Sequence, residues 1–207
     1  MITTEIVSLS LSQIDEASEI LQDAFNQGPI FRYLIPEAEQ TRANFLRWFF
    51  KRALRYSQHY NHVYTTAGNL KGVAVWLPPE RSIDTNILQL IPTALALPFQ
   101  LGWSKLGRGI SLLSAIEERH KLDMPSPHWY LSILGVAPAC QGQGVGSSLL
   151  QPILKRADNE GLPCYLETAT QSAVRFYQRH GFEVVWTGTF TEGSPCLWTM
   201  KREAYSD

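Results

Sequence analysis

Between residues 129 and 136 the chain reads WYLSILGV, an octet in which only Ser132 is polar. A strand shows its side chains alternately to two faces, so it can be apolar at both parities only where both faces are covered. The octet therefore predicts the central strand of a covered sheet and puts the chain in the α/β or α+β class. Ala137 to Gln141 follow, and then glycines on alternate positions, Gly142, Gly144 and Gly146, within QGQGVGSS. Behind them Val145, Leu149, Ile153 and Ala157 recur at helical spacing, with Gly161 past the end. A glycine turn thus leads from the strand into a helix, which Pro152 is expected to bend locally.

The same periodicities lay out the rest of the chain. Thr4 to Leu9 alternate as a strand, and Ser10 or Ser12 can cap a helix with Ile14, Ala17, Leu21 and Phe25 on one side, broken at Gly28-Pro29. A helix from Glu37 to about Tyr60 carries the stripe Leu46, Phe49, Phe50, Ala53 and Tyr56, with Arg47, Lys51, Arg52 and Arg55 as a solvated face. Val63–Thr66 and Leu70–Leu77 read as a hairpin turned at Ala67-Gly68-Asn69 and stopped by Pro78-Pro79. Residues 81–122 read as helical. Beyond the glycine turn and its helix, the strand Cys164–Thr168, the helix Ser172–His180 and the strands Phe182–Thr187 and Cys196–Met200 complete the order.

Composition narrows the partners. A chain of 207 residues with 44% hydrophobic content can build one sizeable core, so residues 1–207 are read as a single domain. Lys+Arg 18 against Asp+Glu 19 leaves a net charge of -1, with no global positive field to draw nucleic acid. The cysteines Cys140, Cys164 and Cys196 are too few for a disulfide framework and lack metal-ligand spacing. A reduced, cytoplasmic setting without a metal is expected, and the N-terminus shows no export pattern. The uncharged run Thr85–Ser104 holds Gln89, Pro92, Pro98 and Gln100, and its apolar part falls short of the ~20 residues a span needs, so it reads as a buried or pocket-lining segment rather than a membrane helix.

Successive backbone N–H groups entering a helix make a site for phosphate oxygens, and glycines let the ligand come close; a plain tight turn packing helix on strand uses the same residues. A Walker loop is excluded because no lysine occurs between Lys121 and Lys155. A dinucleotide fingerprint finds Gly142 and Gly144, and Glu167 roughly 20 residues on, but its third glycine would be Ser147 and its first should follow the strand directly. The remaining pattern is Q-x-x-G-x-G, filled by Gln141, Gly144 and Gly146. It resembles the pyrophosphate motif of the GNAT superfamily of acetyl-CoA-dependent N-acetyltransferases, and AVRFYQRHGF at 173–182 is similar to that family's A-x-x-F-Y-x-x-x-G-F signature. Across about 125–203, HWYLSILGVAP, QGQGVGSSLLQP, YLETA and FYQRHGFEVV look like puromycin-type members.

The resemblance implies a mixed, mostly antiparallel twisted sheet of about six to seven strands flanked by helices. That sheet would splay after the central strand, and a helical insertion at 78–128 between strands 3 and 4 would cover the acceptor pocket. It implies acetyl-CoA as cosubstrate and direct acetyl transfer to a primary amine of a small molecule through a tetrahedral intermediate. Backbone groups of Leu134, Gly135 and Val136 would hold the pantetheine, Val136 N–H polarising the thioester. Gln141, Gly142, Gln143, Gly144, Val145, Gly146 and Ser147 would hold the diphosphate, with Ala173, Phe176 and Tyr177 completing the site. Tyr177 aligns with the tyrosine that faces the sulfur as general acid.

The base is open, because WYLSILGV carries no carboxylate where many relatives place a glutamate. Glu167 is the leading candidate, while a strand-end glutamate is also a common solvated edge. His128 could relay a proton, and His180 could simply cap its helix. Cys140 has no neighbouring base to make it a nucleophile. Asp23, Asn26, Phe31, Arg32, Tyr33 and Trp103 are candidates for the acceptor side. Acetylation of a protein lysine or N-terminus, or an acetyl-CoA-binding module without catalysis, are the alternatives. Nucleic acid and membrane are not expected partners; a homodimer is allowed.

Overall fold

The computed structural model describes residues 4–79, 96, 97, 99 and 102–205. Within them the chain runs β1 (Ile6–Ser8), α1 (Ile14–Phe25), α2 (Pro29–Leu34), α3 (Glu39–Ser57), β2 (Val63–Thr66), β3 (Gly72–Leu77), α4 (Trp103–Asp123), β4 (Trp129–Val136), α5 (Val145–Glu160), β5 (Cys164–Thr168), α6 (Gln171–Gln178), β6 (Glu183–Gly188) and β7 (Leu197–Arg202). The strands form one sheet of order β1-β2-β3-β4-β5-β7-β6, so the apolar octet is its middle strand. Neighbours are antiparallel except β4 and β5, which run parallel because α5 carries the chain back between them. This is the mixed sheet expected, with the helical insertion between its third and fourth strands; most of the apolar run 85–104 lies outside the described residues.

Alternation sorts the sheet into two cores. On β3, Ala74 and Trp76 point into a core with Leu149, Ile153 and Met200 under α5, while Val73 and Val75 point into one with Leu21, Leu46 and Phe50 under α1 and α3. On β4, Trp129 and Leu131 face α5, and so do Leu134 and Val136. That change of parity is absorbed by a register shift between Val75 and Trp76, opposite Ser132. Both faces of the octet are therefore covered.

Several details were beyond the sequence reading. Pro29 opens the short helix α2 with Gly28 as its cap, where only a break was expected. Arg42, on α3, is buried rather than solvated: its Nε donates to the Asn26 carbonyl at 2.6 Å, and its Nη1 donates to those of Ile35 and Glu37 at 3.1 Å. It ties the α1–α2 and α2–α3 connections to one guanidinium. α5 runs continuously through Pro152.

The pairing of β4 with β5 covers Trp129↔Cys164, Tyr130↔Tyr165 and Leu131↔Leu166 and stops there. β4 continues to Val136 on its β3 side, so the sheet opens between β4 and β5 as expected. Gly135 sits at this opening with its missing side chain toward α1: a Cβ would lie 2.6 Å from Leu21 Cδ2 and 3.1 Å from Phe25 Cε2. Gly135→Ala should therefore overpack α1 against β4, at a cost of about 1–3 kcal/mol. The expected loss is about 2–4 °C of melting temperature per kcal/mol, read by calorimetry.

Candidate active site

The glycines of the turn do two different jobs. Gly142 and Gly144 have φ of +74° and +83°, in the left-handed region, and a Cβ at either would meet nothing within 4 Å. Conformation is what requires glycine there. At Gly146 a Cβ would lie 3.2 Å from Phe176 Cζ, so this glycine lets α5 and α6 approach. Gly144 is the N-cap of α5, no side chain caps it, and no acidic residue occupies the first turn. The first helical bond runs from Ser148 N to Gly144 O at 3.0 Å. The N–H groups of Val145, Gly146 and Ser147 therefore point past the helix end, where the dipole favours an anion. Gln141 and Gln143 brace the loop, their Nε2 groups donating to the Val136 and Ala139 carbonyls at 3.1 and 2.9 Å.

The open edge of β4 continues this donor array. Ala137 N donates to Lys71 O on the β3 side at 2.9 Å, and strand N–H groups alternate between edges. Those of Val136 and Leu134 consequently face away from β3, into the opening. Edge and helix end meet in one cleft of about 530 Å³. Every cofactor residue expected from the sequence lines it except Gly135, which faces α1, and Gln143, which braces the loop. Cys140, Ser172 and Arg179 line it too; of these Arg179 brings a cation that no motif position announced.

Tyr177 lines the cleft from α6, whose N-cap Thr170 accepts from Ala173 N at 3.3 Å. It is 8% exposed, and burial pushes its phenol far above the usual value, so the hydroxyl keeps its proton at neutral pH. Beside it, Ser147 Oγ lies 3.0 Å from His180 Nε2, and burial with the nearby Arg179 and Arg202 lowers that imidazole's pKa. Cys164 is buried away from the cleft, its thiol pushed up to about 12 by desolvation.

Glu167 lies on the other face of the sheet. Leu166 points into the α5 core, so Tyr165 and Glu167 point under α4. Tyr130 Oη donates to Glu167 Oε2 at 2.7 Å, and His120 Nδ1 is 3.6 Å from Glu167 Oε1. Next to them Asp123 accepts from Thr199 Oγ1 at 2.7 Å and Tyr165 Oη at 3.1 Å and pairs with Arg119. Burial alone would raise the Asp123 carboxyl, but those hydrogen bonds hold it below its usual value. Tyr177 and Glu167 are thus brought to opposite faces of the sheet. His128, singled out in the sequence, joins this group, whereas His120, Asp123, Tyr130 and Tyr165 carried no local signal.

The acceptor-side candidates scatter. Asn26 is buried, donating Nδ2 to Glu39 Oε1 at 3.3 Å, and Phe31 packs among Phe25, Phe49 and Phe50. Asp23 and Arg32 are exposed, and Trp103 is 79% exposed. Tyr33 bridges elements: its Oη lies 3.1 Å from Thr191 Oγ1, and the Arg108 guanidinium stands 5.3 Å over its ring.

The cleft thus joins a split mixed sheet to an uncapped helix end beside its open edge. Residues 98–182 match the Acetyltransferase (GNAT) family. It is 26% identical over 171 residues to an uncharacterized N-acetyltransferase of Schizosaccharomyces pombe, covering 81% of this chain and 69% of that protein. A probable serine/threonine-protein kinase of Dictyostelium discoideum is 23% identical over 205 residues, 85% of this chain, and the chain spans only 28% of that relative's length. Among solved structures, an acetyltransferase of Corynebacterium glutamicum described as histone acetyltransferase HPA2 and related superposes with TM-score 0.71 at 21% identity, covering 100% and 99% of the two chains. The Drosophila melanogaster polyamine N-acetyltransferase does so with TM-score 0.61 at 16% identity, covering 96% and 100%. Closeness to puromycin-type members is carried by the sequence motifs alone.

Gly144→Val should force a β-branched residue into the left-handed region at the helix cap. The expected result is acetyl-CoA affinity lower by roughly tenfold in calorimetric titration, since the strain costs about 1–2 kcal/mol. Gly107→Ala, on the exposed surface of α4 with nothing within 4 Å, should leave it unchanged.

Proposed function

We propose that this chain is an acetyl-CoA-dependent N-acetyltransferase that moves an acetyl group directly to a primary amine of a small molecule. The observation that carries it is the meeting, in one cleft, of the free N–H groups of Leu134 and Val136, the uncapped α5 N-terminus and the Tyr177 hydroxyl. These groups fit the cosubstrate's parts in order: amides along an open strand edge for pantetheine, a helix end with Arg179 for the diphosphate.

Bound acetyl-CoA supplies an activated thioester. The Val136 N–H polarises its carbonyl and stabilises the charge developing there. Tyr177, kept protonated by burial, hydrogen-bonds the departing sulfur and delivers its proton. Glu167, on the face of the sheet where the amine arrives, accepts the amine's proton. On the acceptor side of this reading, Arg108 of α4 is stacked on Tyr33, and Tyr33 reaches Thr191. A small amine suits this arrangement, and the similar Drosophila enzyme is named for polyamine acetylation and N-acetylagmatine formation.

A panel of small amines, including agmatine and an arylalkylamine, is tested against acetyl-CoA with free-thiol release as the readout. Release with small amines supports the reading. Release with lysine peptides alone would move it to protein acetylation, and acetyl-CoA binding without release from any acceptor would make the chain a binding module. Tyr177→Phe should lower kcat by about 10²-fold or more while leaving the acetyl-CoA Kd nearly unchanged.

A further inference from the structure

The polar groups under α4 form a chain of close polar contacts, the His128 ones at hydrogen-bond distance and the His120–Glu167 one at 3.6 Å, whose proton count can be worked out. His128 Nδ1 lies 2.7 Å from the Ser126 carbonyl oxygen, which only accepts, so His128 carries a proton on Nδ1. His128 Nε2 lies 2.7 Å from His120 Nε2, a contact that requires one proton between two nitrogens. His120 then presents Nδ1 to Glu167 Oε1 at 3.6 Å. If His128 is neutral, its Nε2 accepts and His120 holds Nε2–H; if His128 is a cation, it donates and neutral His120 holds Nδ1–H. In the first case an unprotonated Nδ1 would set a lone pair against a carboxylate with both groups nearly buried, their side chains 5% and 9% exposed. Every assignment without that repulsion puts a proton between His120 and Glu167.

We infer that Ser126, His128 and His120 together fix a proton on the side of His120 that faces Glu167, making His120 a positioning residue that keeps the base Glu167 ionised and oriented. This rests on the reading of Glu167 as the proton acceptor of an acetyltransferase. The two imidazoles and the carboxylate then hold one proton more than two neutral rings and a carboxylate, so the group is neutral overall. That balance lets it sit beneath a helix without an uncompensated charge. The other charged and titratable groups around it are committed in their own way: Arg119 of α4 pairs with Asp123, Tyr165 of β5 and Thr199 of β7 donate to Asp123, and Tyr130 of β4 donates to Glu167 Oε2. The rings of Tyr130 and Tyr165 lie 4.5 and 4.3 Å from that of His120 and pack against it. Nothing is transferred in this step; the proton stays between Nδ1 and the carboxylate until Glu167 takes a second one from the amine.

Two measurements test this. Nitrogen NMR of histidine-labelled protein reads each ring's protonation directly and needs no acceptor: both His120 and His128 should be protonated at Nδ1 at pH 7, and Glu167→Gln should strip the second proton from the His120–His128 pair at lower pH than in the wild type. An unprotonated His120 Nδ1 at pH 7 in the wild type overturns the inference. The pH dependence of kcat/KM with agmatine and acetyl-CoA supplies the second reading. His120→Gln removes the cation beside Glu167, so the carboxylate forms only at higher pH and the acid limb should move up by about one unit or more. A merely structural histidine would lower activity or stability without moving that midpoint, and a limb left in place also overturns the inference. Should agmatine not be acetylated by the wild type, it is the proposed activity toward that amine that fails, while the NMR measurement still decides the shared proton.

Discussion

The departure of β5 from β4 after Leu131 is the constraint on which the rest of this structure depends. An interior strand edge left without a partner exposes N–H and C=O groups that a closed ladder would satisfy, and burying such groups unpaired is costly. Here the edge is not wasted. The Val136 carbonyl is taken by the Gln141 side chain, and the outward N–H groups of Leu134 and Val136 are held in line with the open end of α5. A row of fixed donors at the centre of a rigid sheet is the kind of preorganised array that binds an extended, amide-bearing, diphosphate-bearing ligand without reorganising.

The opening also separates two chemical environments. On the α5–α6 face, Tyr177 sits among apolar neighbours, Phe176 and Phe182, and desolvation holds its proton in place. On the α4 face the interior is polar and charged: Arg119 pairs with Asp123, and His120 Nδ1 stands 3.6 Å from Glu167. A proton donor on one face and a proton acceptor on the other suit a transfer in which the leaving group and the nucleophile approach from opposite directions.

Legibility in the sequence followed the range of the interactions. The central strand, the hairpin at Gly68, the α5 stripe and the glycine turn rest on contacts within a few residues, and these emerged within a residue or two of their expected bounds. The cleft lining was legible because the motif positions fall in two short local runs, one from the end of β4 through the turn into α5 and one on α6. Arg42 went unremarked in the sequence, since nothing local marks a guanidinium that will cap three carbonyls from other segments. Gly135 was read with the cofactor site because its neighbours belong there; which face a strand glycine opens depends on what packs above it, here Leu21.

The sequence by itself determined the layered α/β architecture, the central strand and the position of the glycine turn, because apolar periodicity and glycine's freedom at positive φ act locally and leave a pattern in the chain. Only the tertiary structure decided that Glu167 and Tyr177 stand on opposite faces and that His120, His128, Tyr130 and Glu167 share a buried cluster. Those relations depend on a single-residue register shift opposite Ser132 and on how α4 lies across β4, β5 and β7. A one-residue change of register exchanges the two faces of a strand, and no local pattern records where a helix from another part of the chain will set its charges down.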